Sequence, residues 1–163
     1  MNTPVKEFGI TRENEERRDG GCAVVYDPVT QCYAVGLRED GLYILFSGGV
    51  ADDEDMAEGV LREVREESGL HDFAHVEKVA DAIAHYYHKI KNVNRVAHAT
   101  CLFVVLQSVD LVPTQLEAHE RFTLAWATAD EVIANWHAHN VEHNLDHWLY
   151  FFDLARARVS TLA

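Results

Sequence analysis

The chain has 163 residues, 48% of them apolar and 25% charged, enough for one domain with a sizeable core. Its formal net charge of −13 argues against a nucleic-acid backbone or an anionic membrane as the main partner. It contains no apolar run of about 18 residues, so no helical membrane span is expected.

Residues 1–20 are polar and charged and read as a loose arm or a short lead-in strand, not as a secretory leader. Ala23 to Tyr26 and Cys32 to Val35 are β-prone and flank the turn pair Asp27-Pro28, so a hairpin is expected. Asp40-Gly41 is a second turn signal; Leu42 to Phe46 then reads as a strand that Ser47-Gly48-Gly49 breaks. From Asp52 to Ser68 the period turns helical, with Ala57, Val60, Leu61 and Val64 on one stripe. Asp52 and Asp53 suit the start of this helix, and Gly69 suits its end.

Ala74 to Tyr87 and Val96 to Val109 read as strands, the second apolar enough to be central in a sheet. HKIKNVNR between them is a polar, basic turn, and Pro113 to Glu120 reads as an exposed loop. Phe122 to Ala127 is a further strand, and a helix follows from Ala129 to the end, with a break near Asn140. Cys22, Cys32 and Cys101 are scattered, odd in number and without a CxxC pair; they are expected to be reduced thiols of a cytosolic, cytoplasmic protein.

One stretch invites a chemical reading. Glu63 and Glu67 are four residues apart and Glu66 three from Glu63, so a helix puts all three on one face. Between Asp52 and Glu67 stand eight acids against two bases, a local charge of −6. The stretch is either a solvated acidic face or a site for a hard divalent cation, Mg²⁺ or Mn²⁺, which prefers such oxygen clusters to zinc's nitrogen and sulfur ligands.

The wider pattern runs Gly48, five residues, Glu54, seven residues, then Arg62-Glu63-Val64-Arg65-Glu66-Glu67-Ser68-Gly69-Leu70. It resembles the signature of the Nudix hydrolases at every fixed position, with strand, glycine loop and helix in the right context. The resemblance covers most of residues 1–163 as a single domain. It implies the α/β class: an α/β/α sandwich with a mixed β-sheet and the signature as loop-helix-loop on one side. It also implies Mg²⁺-dependent hydrolysis of a nucleoside diphosphate linked to another group, such as ADP-ribose. Glu63, Glu66 and Glu67 then look like metal ligands, one of them a candidate base, joined by the carbonyl of Gly48 or its neighbour. Arg62 and Glu54 look like an ion pair that fixes the helix, with Val64 and Leu70 in the core. A further acid often comes from a loop before a tryptophan-bearing strand, which points to Glu120, six residues before Trp126, and secondly to Glu117. Phe46 and Ser47 stand where relatives often carry proline and glycine, and Asp53 where they often carry glycine.

Lys89, Lys91 and Arg95, with His85, His88 and His98, are candidates for substrate phosphate or ribose, or else form an ordinary exposed turn. His139, His143 and His147 share four-residue spacing: a polar helix face, or a transition-metal site. Trp148 to Phe152 reads as core or as a dimer contact; a homodimer would follow the habit of many relatives. The partner is then a small nucleotide, with no membrane and no nucleic acid. The rival readings are housecleaning of nucleoside triphosphates, a non-catalytic nucleotide-binding regulator, and a zinc-binding structural protein.

Overall fold

The computed structural model describes residues 5–162, apart from the side chain of Glu142. Among them one mixed sheet runs β1(Lys6–Phe8), β7(Phe73–His88), β8(Val93–Leu106), β3(Gly20–Asp27), β4(Cys32–Arg38), β5(Tyr43–Ile44). Three strands lie off this path: β2(Glu16–Arg17) on β8, β6(Phe46–Gly49) on β3 and β9(Phe122–Ala127) on β4. β8 is central, as its apolar run predicts, and pairs in parallel with β3 through Cys22↔Cys101 to Tyr26↔Val105.

Side chains of a strand alternate between faces, so the sheet builds two cores. One face carries Ala23, Val25, Leu102 and Val104 and is covered by α1(Met56–Ser68) through Val60 and Val64. The other carries Val24, Cys101 and Phe103 and is covered by α2(Ala129–His143) and α3(Asp146–Ala157) through Trp136, Phe151 and Phe152. Helices on both faces of a mixed sheet make this an α/β sandwich of the expected kind.

Four expectations shift. Helix α1 begins at Met56, because Asp55 rather than Asp52 or Asp53 caps it by accepting the Glu58 N–H. Its end is as expected: Gly69 takes φ 83° and donates to the Arg65 carbonyl. Ser47-Gly48-Gly49 does not break a strand but lies within β6, since Gly48 and Gly49 pair with Gly21 and Gly20. Of the two readings of residues 1–20, the short lead-in strand holds where they are described. β1 adds to the outer edge of β7 and β2 to β8, and His85 between them binds both Glu7 and Glu15. Residues 1–4 and Ala163 lie outside the described residues.

The last helix breaks at Asn144, which is left-handed at φ 52°, and not at Asn140. Asn140 instead stitches the turn by accepting the Leu145 N–H and donating to Asp146. This puts His147 on α3, packed against the rings of Phe8, Trp148 and Phe151, while His139 and His143 stay on α2. The three histidines therefore do not share one helix face, and burial holds the His147 imidazole down to about 4, the opposite of a poised cation. Trp148 to Phe152 is core: Phe151 and Phe152 are buried, and the other three pack against them.

Candidate active site

Among the described residues β6 pairs with β3 alone, which leaves its other edge without a strand. The Ser47 N–H on that edge donates to Glu67 Oε1 at 2.9 Å, anchoring the end of α1 to the strand. A side chain on Gly48 would fall on the Glu63 carboxylate, so only glycine lets strand and helix approach here. Local structure thus aims Glu63 and Glu67 at the edge of β6.

The remaining signature acids, Glu54 and Glu66, are both held by Arg62. Arg62 makes a two-pronged bond to Glu54, Nε to Oε2 at 2.9 Å and Nη2 to Oε1 at 3.1 Å, and its Nη1 reaches Glu63 at 3.0 Å and Glu66 at 3.2 Å. The expected Glu54–Arg62 pair is present, and Arg62 also bridges two of the three glutamates. Bonding to Glu54 first, and the nearby Glu63, hold the guanidinium above its ordinary range. The same bond holds Glu54 below the usual carboxylate range.

Glu120 reaches this cluster from the loop before β9, 53 positions along the chain from Glu67. Its carboxylate accepts the Glu117 N–H at 2.9 Å and bonds with the Glu67 carboxyl. Glu67 is only 5% exposed. Burial, then the bond to Glu120, then the charges of Glu120 and Glu63 push its carboxyl up to about 10, against the opposing Ser47 N–H. Burial also raises Glu120, but its bonds from Glu67 and the Glu117 N–H outweigh this and hold it low. Glu63 is raised by burial first, with Arg62 opposing and the charges of Glu66 and Glu120 adding to the rise. Glu63, Glu67 and Glu120 repel one another when ionised, and a bound cation would relieve that repulsion.

Glu63, Glu67 and Glu120 are thus brought together, and Glu66 joins them through Arg62. Glu117 is exposed, with His119 at 3.6 Å. Because Glu63 and Glu66 are turned onto Arg62, no three His, Cys, Asp or Glu side chains among the described residues stand as a ready metal cage. The donors nevertheless suit a hard divalent cation: all are oxygens, crowded and like-charged, beside a glycine that a side chain would fill. A small cleft of about 180 Å³, lined by Arg62, Glu66 and Gln115, flanks the cluster. A larger cavity of about 620 Å³ lies elsewhere, between β1 and α2–α3, and none of the four glutamates lines it.

The basic candidates separate. Lys89 and Lys91 are exposed at the tip of the β7–β8 hairpin, whereas Arg95 is 6% exposed within β8. His88 is held low by burial first, then by Arg95, Lys91 and His119. His85 is occupied by Glu7 and Glu15 and serves the arm. Sequence reasoning missed the Ser47 N–H, for which no residue-type signal exists.

The family model described as the NUDIX domain matches residues 16–149. The chain belongs to the NUDIX family, a class of hydrolases acting on phosphoanhydride bonds. Its fold is similar to a Caenorhabditis elegans Ap4A hydrolase binary complex, at TM-score 0.63 and 13% identity over 89% of this chain and 99% of that one. It is also similar to the NUDIX domain of Shewanella oneidensis NrtR complexed with ADP ribose, at 0.62 and 16% over 89% and 90%. A NUDIX hydrolase from Nitrosomonas europaea aligns at 0.58 and 18% over 87% and 90%. Among curated proteins none matches this sequence.

Proposed function

We propose that this chain hydrolyses a nucleoside diphosphate linked to a second group, in the presence of Mg²⁺ or Mn²⁺, and that the clustered glutamates carry the reaction. The observation behind this reading is the buried Glu67 carboxyl, anchored by Ser47 and set against Glu120 and Glu63 at the edge of β6. Carboxylates buried together cost folding free energy unless something positive joins them, and such costs concentrate at functional sites.

Glu63, Glu66 and Glu67, with the Gly48 carbonyl, would hold the cation. When bound, it neutralises phosphate oxygens and lowers the pKa of a water. Arg62, tied to Glu54, orients Glu63 and Glu66. Glu120, held low at physiological pH, is placed to accept a proton beside Glu67. The reaction class is attack by water on a phosphoanhydride. ADP-ribose is the substrate we favour, supported by the ADP-ribose named with the NrtR domain; Ap4A, named with the C. elegans enzyme, belongs to the same chemical class. The three free thiols support a cytosolic setting.

The test is turnover with Mg²⁺ on a panel of nucleotide sugars, dinucleoside polyphosphates and nucleoside triphosphates, comparing wild type with Glu67→Gln. Metal-dependent release of phosphate products that collapses in the variant is expected. Equal turnover in both proteins would overturn the assignment.

A further inference from the structure

The sheet carries a second concentration of unusual residues at this end, on the face opposite α1. Arg95, Ala97 and Ala99 alternate onto the face that packs on α2 and α3, and Gly20 and Gly49 are in register with Ala99. Ala97, Ala99 and Gly20 are only half-buried and Gly49 is exposed, so small residues leave a stretch of sheet surface open within reach of the β6 edge.

Two guanidinium groups stand at this surface. Arg18 continues from β2, its N–H bonded to the Val96 carbonyl at 2.9 Å. Its Nη2 and Nε lie 3.2 and 3.3 Å from where a Gly49 side chain would begin, so the group rests on Gly49 itself. Its side chain forms no hydrogen bond or ion pair among the described residues. Arg95 is the more unusual. It is 6% exposed, its Nε has no hydrogen-bond partner among the described residues, its acidic neighbour Glu16 stays 3.8 Å away, and its charge helps hold the His88 imidazole low. A cation withdrawn from water without close partners is costly, and this one sits on the same face as the open floor.

We propose that Arg18 and Arg95 together form an anion subsite, which takes a phosphate of the substrate outside the carboxylate cluster. This rests on the hydrolase reading and adds to it the residues that would hold the ligand's phosphate chain. One end of its phosphate chain lies at the edge of β6 and the other crosses Gly49 onto the opposite face. Two planar forks suit phosphate oxygens better than point charges do. The exposed Lys89 and Lys91 contribute little to it.

The experiment is calorimetric titration of the full chain in Mg²⁺ buffer with ADP and with adenosine, which lacks phosphate. The variants are Arg18→Ala, Arg95→Ala and Arg95→Lys, each checked for an unchanged unfolding midpoint. Each alanine variant is expected to weaken ADP about tenfold, the scale of one charge-assisted pair, and to leave adenosine unchanged. Arg95→Lys should lose part of this affinity, because the charge stays and the fork goes. Should Arg95→Ala not fold, the exposed Arg18→Ala and the milder Arg95→Lys decide the matter. Unchanged ADP affinity in either arginine's variants, or a wild type that binds ADP no better than adenosine, overturns the paired subsite. Arginine-dependent ADP binding without turnover on any panel substrate would break the hydrolase reading alone.

Discussion

The two helical layers cover the same sheet with opposite materials. The α2–α3 layer buries aromatic rings: Trp136, Phe151 and Phe152 are at most 1% exposed, and Trp136 stacks edge-on to Phe152 at 5.5 Å. The α1 layer buries Val60 and Val64, but beside them it also buries Glu67 and half-buries Glu63. An apolar ring removed from water stabilises the fold by itself. A carboxyl placed among carboxyls does not, so its burial has to be explained by something other than folding. One layer accounts for stability; the other carries the residues to which the proposed chemistry is assigned.

That contrast can be broken by experiment. Glu67→Gln should lower kcat/KM by about 10²–10⁴-fold, the range for a group engaged in proton transfer or metal-assisted attack. Its unfolding midpoint should hold, because the amide, like the protonated carboxyl, keeps an acceptor for Ser47 and a donor toward Glu120. A large loss of stability with activity intact would erase the distinction between the layers. Trp136→Ala should do the reverse. It removes a fully buried ring and its bond to the Tyr43 carbonyl, costing about 3–5 kcal/mol by urea unfolding, while the folded fraction keeps its turnover.

Gly48→Ala sharpens the comparison at a single methyl group. Its Cβ falls on the Glu63 carboxylate, so activity should drop more than tenfold for an overpacking cost of about 1–3 kcal/mol. Unaltered kinetics would show that Glu63 is free to move without consequence. The smallest effect belongs to the arm. Bonds from Glu7 and then Glu15 raise the His85 imidazole above its ordinary 6.5, so the folded state holds this proton more tightly than the unfolded one. The stabilisation is complete below 6.5 and fades as pH climbs through the raised value. His85→Gln should flatten the pH dependence of the urea midpoint above the ordinary 6.5. An identical slope in both proteins would show that the arm is held by backbone pairing alone.

Much of the site was legible because its spacing is local. Glu63, Glu66, Glu67 and Arg62 lie within two helical turns, and helical geometry alone assigns them to neighbouring positions. Glu120 was reachable only by likeness to a family pattern, since nothing in its own surroundings separates it from Glu117. The histidine ladder failed for a related reason: four-residue spacing implies one face only while the helix continues, and Asn144 stops it. Lys89, Lys91 and Arg95 read alike as basic residues of one turn, yet burial sets Arg95 apart from the lysines.

By itself, then, the sequence determined the long strands and the helices, and that three glutamates crowd one helix end, because these follow from periods of two and 3.6 residues and from a signature with fixed gaps. Only the tertiary structure decided that Glu120 meets Glu67, that a Ser47 N–H anchors the pair, that the arm straps onto β7 and β8, and that Arg18 rests on Gly49. Each of these joins residues through sheet register or loop path, and contacts made that way leave no periodic mark on the chain.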